Sequence, residues 1–126
     1  MTRDNFFEIC KSTHNTLPDY PFEEDFETAV MRHTDSRKWF CICMRVPKSK
    51  LVGDSNKIID VVNVKLPLDM HGSFDATDGV YPAYHMNKLH WVSIILEDAP
   101  DEIVRFLLNA SFEVTKTKRR KPAYDK

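Results

Sequence analysis

Glycine is scarce: Gly53, Gly72 and Gly79 are the only three in 126 residues, and each is isolated. A phosphate-cradling loop needs several neighbouring backbone positions without a Cβ, so none is expected. Cysteine is equally sparse, and the odd set Cys10, Cys41 and Cys43 contains no C-x-x-C pair. That argues against a disulfide framework and a dithiol or zinc motif. The apolar run Ile58 to Val64 is broken by Asp60 and Asn63, far short of the roughly 20 residues that cross a bilayer. The opening Met1-Thr2-Arg3-Asp4-Asn5 leads into no apolar stretch of secretory-leader length, so no membrane contact and a cytoplasmic location are expected. An excess of one charge is also missing, with 18 Lys+Arg against 19 Asp+Glu. The strong positive footprint of an avid nucleic-acid binder is therefore absent. Serine-histidine-aspartate and paired-glutamate patterns have no local signature. Thus no catalytic residue, cofactor or metal is expected, and the protein is not expected to be an enzyme.

The near-neutral total hides a dipole along the chain. Residues 1–30 carry two basic and seven acidic side chains, whereas from Lys116 onward six basic residues face Asp125 alone. The length suits one domain, placed over residues 1–117, that buries about two-thirds of its unfolded surface without a staple. Residues 118–126 read as a basic, disordered tail.

Hydrophobic spacing sets the order of elements. Phe6, Ile9, Cys10, Thr13 and Leu17 recur every three or four positions, which predicts a helix capped by Thr2 or Asp4 and stopped before Pro18. An acidic connector follows, and then alternation from Phe26 to Met31 predicts a strand. Polar Thr34–Arg37 reads as a turn into a second strand, Lys38 to Val46. After the Lys-bearing excursion 47–57, a third strand spans Ile58 to Leu66. A short helix is expected over Leu68 to Phe74, and an extended run from Val80 to Met86. Trp91 to Leu96 is apolar on both faces apart from Ser93, as a strand inside a sheet would be. Pro100, Asp101 and Glu102 then open a last helix with Ile103, Phe106, Leu107, Ala110 and Val114 on its inner stripe. The predicted fold class is α+β, an antiparallel sheet with N- and C-terminal helices packed on one face. The opposite face would be left open to solvent or a partner.

The densest chemical cluster is Tyr84-His85-Met86-Asn87-Lys88-Leu89-His90-Trp91. His85 and His90 are five apart, so a shared metal would need a sharp bend at Asn87-Lys88; histidines bonded to loop backbone are the simpler reading. Cys41 and Cys43 share a strand face and read as small buried hydrophobes, with Cys10 distant in sequence. The acids Glu23, Glu24, Asp25 and Glu27 could gather hard cations but are expected to form a solvated edge. Arg37 and Lys38 at one turn, with Lys48, Lys50 and Lys57 in the excursion, could form two basic projections flanking the sheet.

Lys38-Trp39-Phe40, Val62-Asn63-Val64-Lys65, the Tyr84–Trp91 segment and the helix from Pro100-Asp101-Glu102 to Ser111-Phe112 together resemble the MmcQ/YjbR family over roughly residues 18–115. The resemblance implies a fold similar to the bacterial frataxin homologue and a double-wing surface for DNA. Ser36-Arg37-Lys38 stands where that family commonly has Gly-Gly-Lys, and Phe74-Asp75-Ala76-Thr77-Asp78 replaces a Leu-Arg-Glu helix. Frataxin-like iron binding is not expected, because the first helix carries only Glu8 beyond its cap.

The resulting expectation is a DNA-binding protein in which Arg37, Lys38, Lys65 and Lys88 contact phosphates while Asn87 and His90 reach base edges or sugars. Two alternatives come from other classes. One is a protein-interaction or regulatory module that presents the open sheet face to a protein partner. The other is a small-ligand pocket around His85, Asn87 and His90.

Overall fold

The computed structural model describes residues 1–117; the expected tail lies outside the described residues. Helix α1 spans Arg3–His14. The Thr2 side chain accepts from the Asn5 backbone and Asn5 answers it, a reciprocal cap that fixes the start. Asn15 closes it in the left-handed conformation, φ 51°, so Leu17 falls outside the helix and is exposed. Strands follow at Ala29–Arg32 (β1), Trp39–Pro47 (β2), Ile58–Lys65 (β3), Val80–Pro82 (β4) and Trp91–Ile95 (β5), and α2 spans Asp101–Val114. All pairings are antiparallel, in the order β1-β2-β3-β5-β4. Among the described residues no helix is long and apolar enough to cross a membrane.

Three elements differ from the sequence reading. Residues 26–28 are not strand, because the Asp25 carboxylate accepts the Glu27 and Thr28 amides and holds a turn there. The expected helix at Leu68 is a single 3₁₀ turn, Leu68–Met70, followed by further turns. The extended run after Val80 stops at Pro82, and His85 takes φ 59°.

Both helices lie on one sheet face. Phe6, Ile9 and Cys10 from α1 and Val104, Leu107 and Leu108 from α2 share one buried cluster with Cys41, Cys43, Val62, Val64 and Ile94. The inner stripe of α2 is rotated from the expected one: Val104, Leu107, Leu108 and Ser111 are buried while Phe106 is half exposed. The three free cysteines are buried in this core, and burial raises the Cys41 thiol, with the neighbouring Cys10 and Cys43 thiols raising it further.

The second face is not open. Val30, Ile42, Met44, Ile59, Val61 and Ile95 form a second buried cluster, covered by Leu51 and Val52 of the excursion and by Tyr81, Tyr84 and Met86. The strands are apolar on both sides, so each side had to be taken from water. Helices cover one and ordered loops the other.

A candidate basic and aromatic groove

The cover stops short of one end of the sheet. There a β-bulge shifts register between Met31 and Arg32, which pair with Cys41 and Trp39 and leave Phe40 as the extra residue. Phe40 and Cys41 both enter the helix-side core, and Trp39 returns to the opposite face. Lys65 and Trp91 lie side by side across β3 and β5. These side chains line one open groove of about 370 Å³ with Lys38, Val114 and Thr115.

The groove's supports are local and polar. Ser111, buried in α2, accepts the Lys65 N–H at 2.9 Å through its Oγ and donates that hydroxyl to the Phe40 carbonyl. It thus satisfies one backbone group on each strand where the β2–β3 ladder ends. Trp39 is held edge-on by Phe22, ring centroids 5.8 Å apart, and under the Arg32 guanidinium at 5.6 Å. Arg32 is itself fixed by the Asp19 carboxylate at 2.7 Å.

The expected contact residues are divided by this geometry. Lys38 and Lys65 come together in the groove. Arg37 lines a different depression, beside Asn15, Asp19 and Arg32. Its φ of 65° is the left-handed region that favours glycine. Lys88 lines a third cavity with Leu66 and Val92. Trp91 and Val92 are consecutive in β5, so these two cavities lie on opposite faces of the sheet. Asn87 is occupied within its own turn: its side chain accepts the Leu89 N–H at 2.8 Å and its carbonyl accepts the His90 and Trp91 amides. His90 contributes its carbonyl to the Leu66 N–H at 2.9 Å. His85 is exposed and rests on the Tyr84 ring, centroids 3.9 Å apart. Among the described residues no group of three potential ligands could hold a metal ion.

The second basic projection is largely neutralised. Lys48 pairs with Asp98 at 3.3 Å and Lys57 with Glu97 at 3.1 Å. Such exposed pairs contribute little stability, but they cancel charge that a polyanion would need.

Sequence reasoning missed the partnership of Trp39 with Trp91 and the role of Ser111. The available signal was the bulky pair Trp39-Phe40 opening a strand, where strict alternation would send one ring to each face and Cys41 back beside Trp39.

A five-stranded antiparallel sheet with both helices on one face defines an α+β protein of two-layer type with a loop-covered back. The YjbR sequence profile matches residues 11–114, and the chain belongs to the YjbR family. It is 37% identical over 117 residues to the uncharacterised protein YyaQ of Bacillus subtilis, spanning 92% of this chain and 99% of that one. The crystal structure of a Pseudomonas syringae protein superposes with a TM-score of 0.88 at 34% identity, covering 92% of this chain and all of the other. A Deinococcus radiodurans protein, DR2400, shares the fold alone, with a TM-score of 0.64 at 20% identity over 98% of this chain and 84% of that one.

Proposed function

We propose that this YjbR-family protein is a non-enzymatic DNA-binding protein whose contact surface is the groove at the end of the sheet. The observation that carries the reading is the convergence of Lys38, Trp39, Lys65 and Trp91 on one open surface. Two ammonium groups can neutralise successive phosphates, and an indole face can stack an unpaired base. This combination favours single-stranded DNA over a duplex, whose stacked bases offer no free face. The sequence beyond the groove supports it, because Thr115 on the rim is followed, past a Lys116 paired with Glu113 at 3.0 Å, by Lys118, Arg119, Arg120 and Lys121. A protein partner on the back of the sheet is the weaker reading, since that surface is already buried under the excursion and Tyr84.

Tryptophan fluorescence during titration with oligothymidylate at increasing salt tests the proposal. Binding should weaken steeply with salt, and Lys38→Ala or Lys65→Ala should each remove about 0.7 from the log–log slope. Trp91→Ala should cost about 1–3 kcal/mol per stacked base. Arg37→Ala and Lys88→Ala, whose side chains line other depressions, should leave the slope unchanged. Absence of binding at low ionic strength, or a Lys88→Ala effect equal to that of Lys65→Ala, would overturn it.

A further inference from the structure

The cavity on the helix-side face of β5 has about 450 Å³ of space, within the roughly 300–1,000 Å³ that small-molecule sites occupy. Its floor is apolar, from Leu66, Phe74 and Val92. Its walls carry the titratable side chains Lys88, Asp75 and His71, and Tyr81 adds a phenol. Lys88 and Asp75 are opposite charges on one cavity, yet among the described residues neither forms an ion pair. The Nε2 atom of His71 is buried without a hydrogen-bond partner among the described residues. A buried nitrogen of this kind is costly unless something bonds to it.

We propose that this cavity binds a small apolar zwitterion of the α-amino-acid type. Its carboxylate meets Lys88, its ammonium meets Asp75, and its side chain lies on Leu66, Phe74 and Val92. The charges decide the class. A ligand with only a carboxylate would gain Lys88 but face repulsion from Asp75, and one with only an ammonium would meet the converse. A ligand bearing both satisfies both walls, and its ammonium or carboxylate can also engage His71 Nε2 in either tautomer. The apolar floor adds affinity roughly in proportion to the area it removes from water, so leucine and phenylalanine should bind more tightly than glycine.

The test is ¹H–¹⁵N NMR of the full chain titrated with L-phenylalanine, L-leucine, glycine, benzoate and 2-phenylethylamine. Phenylalanine and leucine should move resonances of residues 66–75, 80–82, 88 and 92 in a saturable way. Benzoate, 2-phenylethylamine and glycine should each bind at least about tenfold more weakly. Lys88→Ala and Asp75→Asn alter exposed side chains, so their spectra should stay folded while phenylalanine affinity drops about tenfold in each. Equal response to benzoate and phenylalanine, shifts outside these segments, or no shifts at about 10 mM ligand would overturn the proposal. Lys88→Ala separates this site from the DNA groove, because it should weaken phenylalanine binding and leave oligothymidylate binding unchanged.

Discussion

Ser93 Oγ donates to Asn63 Oδ1 at 2.5 Å inside a sheet that is otherwise apolar at that level. The pair closes a directed ring with the loop above it. Asn63 Nδ2 donates to the Tyr84 carbonyl at 2.8 Å, and the Tyr84 N–H donates to Ser93 Oγ at 2.9 Å. Each of these three groups both gives and receives within the circuit, so the Tyr84 backbone is fixed over the back of the sheet.

Breaking the ring at one point should cost more than a single bond. Ser93→Ala leaves Asn63 Oδ1 and the Tyr84 N–H without this partner, and we expect a loss of about 1–3 kcal/mol in urea denaturation. Asn63→Ala should lose a similar amount. The double variant should lose clearly less than the sum, because the second change removes groups that the first had already orphaned. Additive losses would mean the three bonds act independently.

Gly79 gives a second, steric prediction. A Cβ there would lie 2.5 Å from the Ala99 nitrogen and 2.9 Å from its Cα, at φ 79°. The crowding arises because the turn after β5 folds back onto the start of β4, where Ile95 N–H donates to the Gly79 carbonyl at 2.7 Å. Gly79→Ala should therefore destabilise by about 2–4 kcal/mol, combining clash and backbone strain. Gly53 has φ 66° with nothing within 4 Å of the added carbon, so Gly53→Ala should cost only about 1 kcal/mol. Thermal melts of the two variants side by side check the contrast.

Much of the architecture was legible because apolar spacing must match the period of whatever it builds. The strands at Cys41–Cys43, Val61–Val64 and Ile94–Ile95 follow from it directly. What the pattern hid was polar participation. The inner stripe of α2 runs through Ser111 toward the cap residue Thr115, residues that a search for hydrophobes passes over, and this rotated the expected face toward Phe106. The same blindness applied to Asn63 and Ser93. The groove was half legible: Lys38 and Lys65 stand at the adjacent ends of two strands joined by one excursion, and only the bulge at Phe40 brings Trp39 beside them. Lys88 and His90 stand in the most distinctive segment of the chain, yet their placement depends on a turn held by Asn87, which sequence spacing does not specify.

Acid should weaken this fold before its carboxylates titrate. The His14 ring stacks on Phe112 at 4.0 Å and its Nε2 meets Asn109 Oδ1 at 2.8 Å. The His33 ring centroid lies 4.4 Å from that of the same Phe112, with Nε2 2.7 Å from Thr115 Oγ1. Burial lowers both below the ordinary value of 6.5; Asn109 and Glu113 oppose it at His14 and Asp35 at His33, while Lys116 adds to it at both and Lys38 at His33. The unfolded chain thus takes up these protons more readily. Stability is fully present above about pH 6.5 and declines as the pH falls below it, until the folded-state rings are themselves protonated. Melting temperature should drop between about pH 7 and 5, and a His14→Gln/His33→Gln double variant should show a flatter profile over that window. An unchanged slope in the variant would assign the acid sensitivity elsewhere.

Ser111 links the core to the groove, and its removal should be read in both. Its hydroxyl serves the Lys65 N–H and the Phe40 carbonyl at once, and its own carbonyl accepts the Thr115 hydroxyl at 2.7 Å. Ser111→Ala strips two buried backbone groups of a partner, so about 1–3 kcal/mol should be lost on denaturation. Lys65 and Thr115 both line the groove, so oligothymidylate affinity should also fall at temperatures where the variant remains folded. The salt slope should not change, because no phosphate-facing charge has been removed. That signature separates positioning from contact: Lys65→Ala flattens the slope, whereas Ser111→Ala lowers affinity at every salt concentration by the same factor. A Ser111→Ala protein as stable as the parent would show that the bulge carbonyl and the Lys65 amide find other partners, and the groove would then owe its shape to the indoles alone.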